Sequence, residues 1–578
     1  MPSLSQRFFP QRLWGIIRKV YLELSSDTSP ISRIPDELLV LILEIAMQEM
    51  TGSFFDGTAS QAPIGTFKCQ HWPDLALVCR RWHIVMLNTQ SFWCNIEFCT
   101  YARSQLLIER SGRGIIDIAY TEAIPQALTA ERDEFLNRVF DNIGRTRGLY
   151  LSGPCARKLL RDVVPFSTAP ALEMLYLQVY DFVHEPLARN PLYDGFFSNI
   201  GKLRAVNLGG VTVLPTSAIF CSNVTNLSLD SYDIPVINRL SISEVITALN
   251  KMPNLETLTL KNMLSGDESP ESEPVDLPHL THLTIHTDSV SQCSAFTHHV
   301  ALPPSAIIRC HCRCRTPNDP ASSVSILRHS RSFSVFRVAC TGNYLSICGH
   351  TSRSSDEKSP APGTLIITLS IANLPLLDIP VVAANVLNLL SQSLLDMRTL
   401  IIDTCESSYD WAPVLIPFHM VEEIFVRGAA WQAIVDALPM AVRTMDPNGQ
   451  GLGPWCPMLH KLSFSHCASS SHNHDPCLQL NPMSFGALAV LLDIRRHRGA
   501  PVLLNKVVFD GQVVETRDLR CLKVMKEGAK WRTASAARPS SLLYDKHASL
   551  HVDPTYLPKS SQDRLSKLRP DWKLSTIA

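Results

Sequence analysis

The segment MPNLETLTL, Met252 to Leu260, places Leu255 in a turn and then Leu258 and Leu260 two residues apart. Alternate positions of a strand face the same side, so Leu258 and Leu260 are expected on the buried face of a short strand that Leu255 leads into. The same pattern returns along the chain. It occurs upstream as Leu172, Leu175, Leu177, as Leu203, Val206, Leu208, and as Val224, Leu227, Leu229. Downstream it reappears as Leu280, Leu283, Ile285, as Met397, Leu400, Ile402, and as Val421, Ile424, Val426. Leu459, Leu462, Phe464 and Leu504, Val507, Phe509 complete the series.

Self-similarity of this kind resembles the leucine-rich-repeat family, in which each unit contributes one strand and stacks on its neighbours. The early units begin at 172, 203, 224, 255 and 280. Their uneven spacing predicts an irregular, partly stretched array. The polar residue that usually follows the strand is matched only approximately, by Asn262 and Cys467. Helical spacing at 243–251 and 484–498 is expected to supply segments packed behind the strands. The basic RRHR run ending the second, Arg495 to Arg498, suits a helix C-terminus.

A different pattern occupies the N-terminal region. In ISRIPDELLVLILEIAMQEM, Pro35 suits a helix start, where its missing N–H costs nothing, and Asp36 and Glu37 suit the positive end of the dipole. Leu38, Leu39, Ile42, Ile45 and Ala46 recur at helical spacing. In WPDLALVCRRWHIVMLNTQSFWCNI, Leu75, Val78, Cys79 and Trp82 repeat that logic on a second helix, and Trp93 closes a third segment. Helices this short need their apolar faces covered by one another and by a partner.

These residues resemble the F-box family, in the form common among large fungal sets. The matches are Ile34, Pro35, Glu37, Leu38 and Leu39, then Val78, Cys79, Arg80 or Arg81 and Trp82, then Trp93. The resemblance covers about one tenth of the chain, and it departs from the compact family pattern in the long stretch between Met50 and Trp72. It implies docking onto the Skp-family adaptor of a cullin ubiquitin ligase, with Ile34, Pro35, Leu38, Leu39, Ile42, Val78, Cys79 and Trp82 as the contact residues. Ile45 and Trp93 are expected in the core of the module.

Composition narrows the classes. Lys+Arg and Asp+Glu balance at 53 each, so no global field steers the chain to nucleic acid or acidic lipid. Seventeen cysteines without a regular framework, and no apolar run of signal-peptide length near the N-terminus, imply reduced thiols and a cytoplasmic or nuclear location. The apolar stretch from Thr364 to Leu395 is interrupted by Pro375 and Pro380. It reads as a strand, a turn and a helix from Val381 to Leu395 rather than a membrane span.

Two Cys/His clusters invite a metal. Cys310, Cys312 and Cys314 alternate, as on one strand face, and lack the turn that gathers zinc ligands. The residues Cys456, His460, His466, Cys467, His472, His474 and Cys477 contain no pair at finger spacing. Nucleophile elbows and phosphate-binding glycine loops are missing from the sequence. Cys79 has Arg80, Arg81 and His83 as neighbours, but a helix face makes packing its expected role.

The expectation is therefore an α+β chain: a flexible leader (1–29), a three-helix F-box (30–97), and an irregular leucine-rich-repeat α/β solenoid or horseshoe (98–530). Inserted loops are expected near 265–276 and 350–363, and a loosely ordered tail at 531–578. The expected function is a non-catalytic adaptor, without cofactor or metal, that bridges a Skp-family adaptor and cullin scaffold to an unknown substrate protein for ubiquitination. The alternative is an interaction protein of the same architecture that no longer recruits a ligase.

Overall fold

The structure is a computed structural model. It describes residues 33–51, 75–97, 101–121, 130–153, 168–179, 191–192, 199–231, 239–266, 274–316, 333–341, 344–351, 363–371, 379–389, 394, 397–404, 411–415, 418, 420–428, 433–434, 437 and 458–465, and the strand backbones at 506–509, 512–515, 543–544 and 550–551. The chain divides into two compact units, 1–238 and 239–578, and mixes helices with long, mostly parallel strand ladders in each. Among the described residues no helix is long and apolar enough to cross a membrane.

Among the described residues the first unit begins with helix α1 (Asp36–Thr51), helix α2 (Arg80–Asn88) and a 3₁₀ turn at Gln90–Trp93. Strands β1 (Asn95–Glu97), β2 (Ile116–Thr121), β3 (Thr146–Ser152), β4 (Met174–Gln178), β5 (Ala205–Gly209) and β6 (Asn226–Asp230) then pair in chain order, all parallel. Helices α3 (Tyr101–Arg110) and α4 (Ala130–Asp141) connect β1 to β2 and β2 to β3. Because β1 pairs with β2 through Ile96 and Ile118, the boundary expected at 97 falls inside a strand ladder. The division between the two compact units lies at 238/239.

In the second unit, β7 (Thr257–Lys261), β8 (His282–Thr287) and β9 (Ile307–Arg313) continue the parallel pattern. Helix α5 (Ile242–Leu249) precedes β7, and α6 (Val290–His298) joins β8 to β9. Helix α5 starts on a capping box: the Ser241 hydroxyl accepts from the Glu244 amide while the Glu244 carboxylate accepts from the Ser241 amide, satisfying two orphan donors at once.

After β9 the order changes. Strands β10 (Val335–Thr341), β11 (Tyr344–His350) and β12 (Leu365–Ser370) form an antiparallel meander laid down in reverse. Strand β12 pairs with β9, while β10 pairs with β13 (Thr399–Thr404). Helix α7 (Ile379–Leu389) lies between β12 and β13 in the chain. Strands β14 (Glu423–Gly428), β15 (Lys461–Ser465) and β16 (Lys506–Phe509) resume parallel pairing. An antiparallel β17 (Gln512–Glu515) ends the ladder.

The repeat positions build the core. All the apolar repeat positions from Leu172 through Phe464 are buried, and none exceeds 2% exposure; of the last triplet only the backbone of Val507 and Phe509 is described. Cys310, Cys312 and Cys314 are buried with them, and their places are those of core side chains. The turn after β7 uses Asn262 in the left-handed region (φ 52°), with its amide donating to the His286 carbonyl of β8 at 2.8 Å.

Two boundaries are revised. The expected loop 265–276 has strands at both ends: Leu264–Ser265 pairs with Leu240–Ser241, and Val275–Asp276 with Val300–Ala301. The expected loop near 350–363 falls between β11 and β12, which pair antiparallel, and 352–362 lie outside the described residues. Helix α7 begins at Ile379, two residues before the expected start, and is described to Leu389. The expected helix at 484–498, the second Cys/His cluster apart from His460, the leader and most of the tail lie outside the described residues.

Candidate docking site

Helix α1 is apolar on two sides. Leu39, Leu43 and Met47 follow one another at four-residue steps and are buried. Leu38, Leu41, Ile42 and Ile45 fall at i, i+3, i+4 and i+7 and are 53, 51, 44 and 50% exposed. At ~100° per residue the two stripes lie ~150° apart, on nearly opposite faces of one helix. Around the second segment Leu77 and Ile84 are exposed as well. Several large apolar side chains on one short module, each at least 44% exposed, are the kind of surface that marks a partner site.

Local chemistry explains how the module is held. The Pro35 carbonyl accepts the first helical bond, from Leu39 N at 3.0 Å, so Pro35 stands at the helix start where its lack of an N–H is harmless. Arg81 ties the two helices together. Its Nε and Nη2 both donate to Asp36 Oδ1, at 3.0 and 2.6 Å, and Nη2 also donates to the Ile34 carbonyl. Of the two arginines that match the resemblance, Arg81 therefore carries the contact.

Midway along α1, Ser91 donates to Glu44 Oε1 at 2.6 Å. Within the core, the indole N–H of Trp93 donates to the Met86 carbonyl at 2.9 Å, which satisfies the polar end of a buried aromatic. The Arg110 guanidinium lies 4.8 Å from the Trp93 ring centroid, a cation–π distance.

The sequence-predicted residues separate into three groups. Leu38 and Ile42 lie on the uncovered stripe, and Pro35 is exposed beside it. Ile34, Val78 and Cys79 are half-buried. Leu39 and Trp82 are buried at 0 and 8% exposure, so in this structure they build the module's core rather than its surface. Cys79 is the N-cap of α2: its backbone is extended, its Sγ accepts from Trp82 N at 3.5 Å, and its carbonyl accepts from His83 N at 3.0 Å.

Trp93 is buried, in its expected place, whereas Ile45, expected in the core, is exposed. Leu41, Leu77 and Ile84 belong to the exposed apolar surface and were not singled out from the sequence. The signal for Leu41 and Ile45 was present as a second 3.6-residue phase beside the one that Leu39, Leu43 and Met47 occupy. No protein-family model matches this chain, and no curated protein matches it.

Proposed function

We propose that the chain is a non-catalytic adaptor that docks through its N-terminal helices onto the Skp-family adaptor of a cullin ubiquitin ligase and presents a substrate protein on its strand units. The observation that carries this reading is the second apolar stripe of α1, Leu38, Leu41, Ile42 and Ile45, uncovered on a helix whose opposite stripe already fills the core. A helix apolar on both sides needs a second partner. The F-box resemblance of Ile34, Pro35, Leu38 and Leu39 and of Val78, Cys79 and Trp82 names the class of that partner.

The stacked strand pattern supports the other half of the reading, since the leucine-rich-repeat resemblance assigns such strands to partner binding. The alternative, an interaction protein that no longer recruits a ligase, is favoured by the burial of Leu39 and Trp82, two of the residues assigned to docking. Capture of the full chain by an immobilised Skp-family adaptor separates the two. The ligase reading expects capture by wild type and loss with Leu38→Asp or Ile42→Asp; failure of the folded wild-type chain to bind removes it.

A further inference from the structure

Helix α6 packs against β8 and β9, and the contact brings three thiols together. Cys310 and Cys312 share one face of β9, since strand side chains alternate. Cys293 reaches them from α6, one turn past the N-cap Ser289. None of the three is in a disulfide. Cys293 and Cys310 are fully buried and Cys312 nearly so. The Cys293 thiol is in hydrogen-bond contact with both Cys310 and Cys312. Cys314, next along the chain on the same side, is engaged elsewhere, its thiol donating to the Thr316 carbonyl at 3.1 Å.

A buried cysteine commonly serves as a small apolar filler. Packing accounts for one such residue on each element, but it does not call for three sulfurs in mutual contact. Among the described residues no group of three or more His, Cys, Asp or Glu side chains is placed to hold a metal ion. The chemistry open to the cluster is that of neighbouring thiols, the two-electron closure of a disulfide.

We propose that Cys293 and Cys312 are a peroxide-oxidisable pair whose disulfide clamps helix α6 to strand β9. Acidity and position select Cys312 as the partner of Cys293. Contact with Cys310 and Cys312, and then burial, hold the Cys293 thiol well above the ordinary thiol range. Contact with Cys293 lowers Cys312 against its own burial, and the Thr287 hydroxyl, 3.4 Å from its sulfur, lowers it further. Cys312 is therefore the thiol that gives up its proton, and the thiolate is the nucleophile. In position, Cys312 stands in register with Thr287, the last residue of β8, beside the turn from which α6 starts. Strand β9 is held by β8 on one side and β12 on the other. Drawing the two sulfurs in from contact to a bond of ~2.05 Å thus moves α6 rather than β9.

The oxidant is hydrogen peroxide, small and uncharged enough to enter when α6 opens locally. The Cys312 thiolate attacks one peroxide oxygen and the O–O bond breaks. The hydroxide that leaves takes up the proton Cys312 released and departs as water, which makes Cys312 a sulfenic acid. The Cys293 sulfur then attacks the Cys312 sulfur and the S–O bond breaks. That hydroxide departs with the Cys293 proton as a second water. Two thiols and one peroxide give one disulfide and two waters, with two electrons passing from sulfur to oxygen.

The test treats the full reduced chain with hydrogen peroxide at neutral pH, alkylates the remaining thiols, and reads a non-reducing digest by mass spectrometry. A peptide pair joining Cys293 to Cys312 is expected, two hydrogens lighter than its reduced parts and reversed by dithiothreitol. Amide exchange across 290–298 should slow ~10-fold or more on oxidation. Cys293→Ala should abolish the cross-link and leave Cys312 as a sulfenic acid that dimedone captures, a signature that packing alone does not give. Cys310→Ala should keep the cross-link.

The wild-type cross-link needs no variant, so a substitution that disturbs folding leaves the test intact. The proposal is overturned by a folded chain that stays reduced, or by a cross-link from Cys293 to Cys310. Cross-links scattered among the seventeen cysteines, as in unfolded chain, overturn it too, as does unchanged exchange in α6 once the bond has formed.

Discussion

The two stripes of α1 should respond in opposite ways to substitution. Leu39 and Leu43 are fully buried, so Leu39→Ala removes a packed side chain and leaves a cavity, at ~2–5 kcal/mol. Leu38 is 53% exposed. Leu38→Asp therefore forfeits only part of a side chain's burial, ~1 kcal/mol of folding stability. For binding the ranking reverses. Covering the exposed halves of Leu38, Leu41, Ile42 and Ile45 contributes roughly 0.8–1.5 kcal/mol each, or ~3–6 kcal/mol in sum.

Aspartate at 38 both loses one share and buries a charge against an apolar partner, at ~2–4 kcal/mol, which corresponds to roughly 30- to 1000-fold in Kd. A chain of two compact units is not expected to unfold in one step, so stability is best read locally, by amide hydrogen exchange over 36–47. Binding is read by titration with the Skp-family adaptor. The reasoning fails if Leu38→Asp strips exchange protection from α1 as thoroughly as Leu39→Ala does, because the exposed stripe would then be part of the fold. It also fails if Leu38→Asp leaves adaptor affinity unchanged.

Other outcomes follow from single contacts. Arg81→Ala removes the Asp36 and Ile34 contacts, but the pair is partly exposed, so a loss of ~1 kcal/mol or less in the stability of the helical module is expected by hydrogen exchange. Gly210 has φ +67°, and a Cβ there would meet the Val179 carbonyl oxygen at 2.2 Å. Gly210→Ala should therefore cost ~1–3 kcal/mol in the first unit, read as lost protection in β4 and β5. His286, held near 4 when folded, is neutral in the native chain and protonated in the unfolded one between about pH 4 and 6.5. The unfolded state binds the extra proton there, so the second unit should weaken as pH falls through that window, by ~1–2 kcal/mol after allowing for partial exposure; His286→Gln should flatten the urea midpoint across it. Burial pushes the Cys348 thiol up to about 11, so its alkylation at pH 8 should be far slower than that of unfolded chain, by mass spectrometry.

Much of the architecture was readable because burial repeats with strand period. Leu255, Leu258 and Leu260, and their counterparts in the other units, are apolar where a strand and its lead-in turn must face a core. The strands at 116–121 and 146–152 escaped notice because neither has the Leu-containing lead-in that marks the later units. The antiparallel strands at 335–341 and 344–350 escaped for a related reason: alternation identifies a strand but not its direction.

The docking helix shows a similar limit. Spacing marked Leu38, Leu39, Ile42 and Ile45 as one apolar set, yet the helix splits them, with Leu39 turned to the core and the other three to water. Contacts from residues more than 40 positions away, Arg81 to Asp36 and Ser91 to Glu44, hold α1 at its start and its middle against the following segment. Those contacts select which side is covered.

The sequence by itself determined which residues would be apolar strand positions and where the first helix begins, because turn chemistry and periodicity act over a few residues; the second helix starts at Arg80, with Cys79 as its N-cap, and not at Asp74 as its apolar spacing suggested. Only the tertiary structure decided which neighbour each strand takes, including the reversed meander between β9 and β13, and which of α1's two stripes remains open. Both are choices among long-range pairings with the same local pattern, and a periodic sequence fits each equally well.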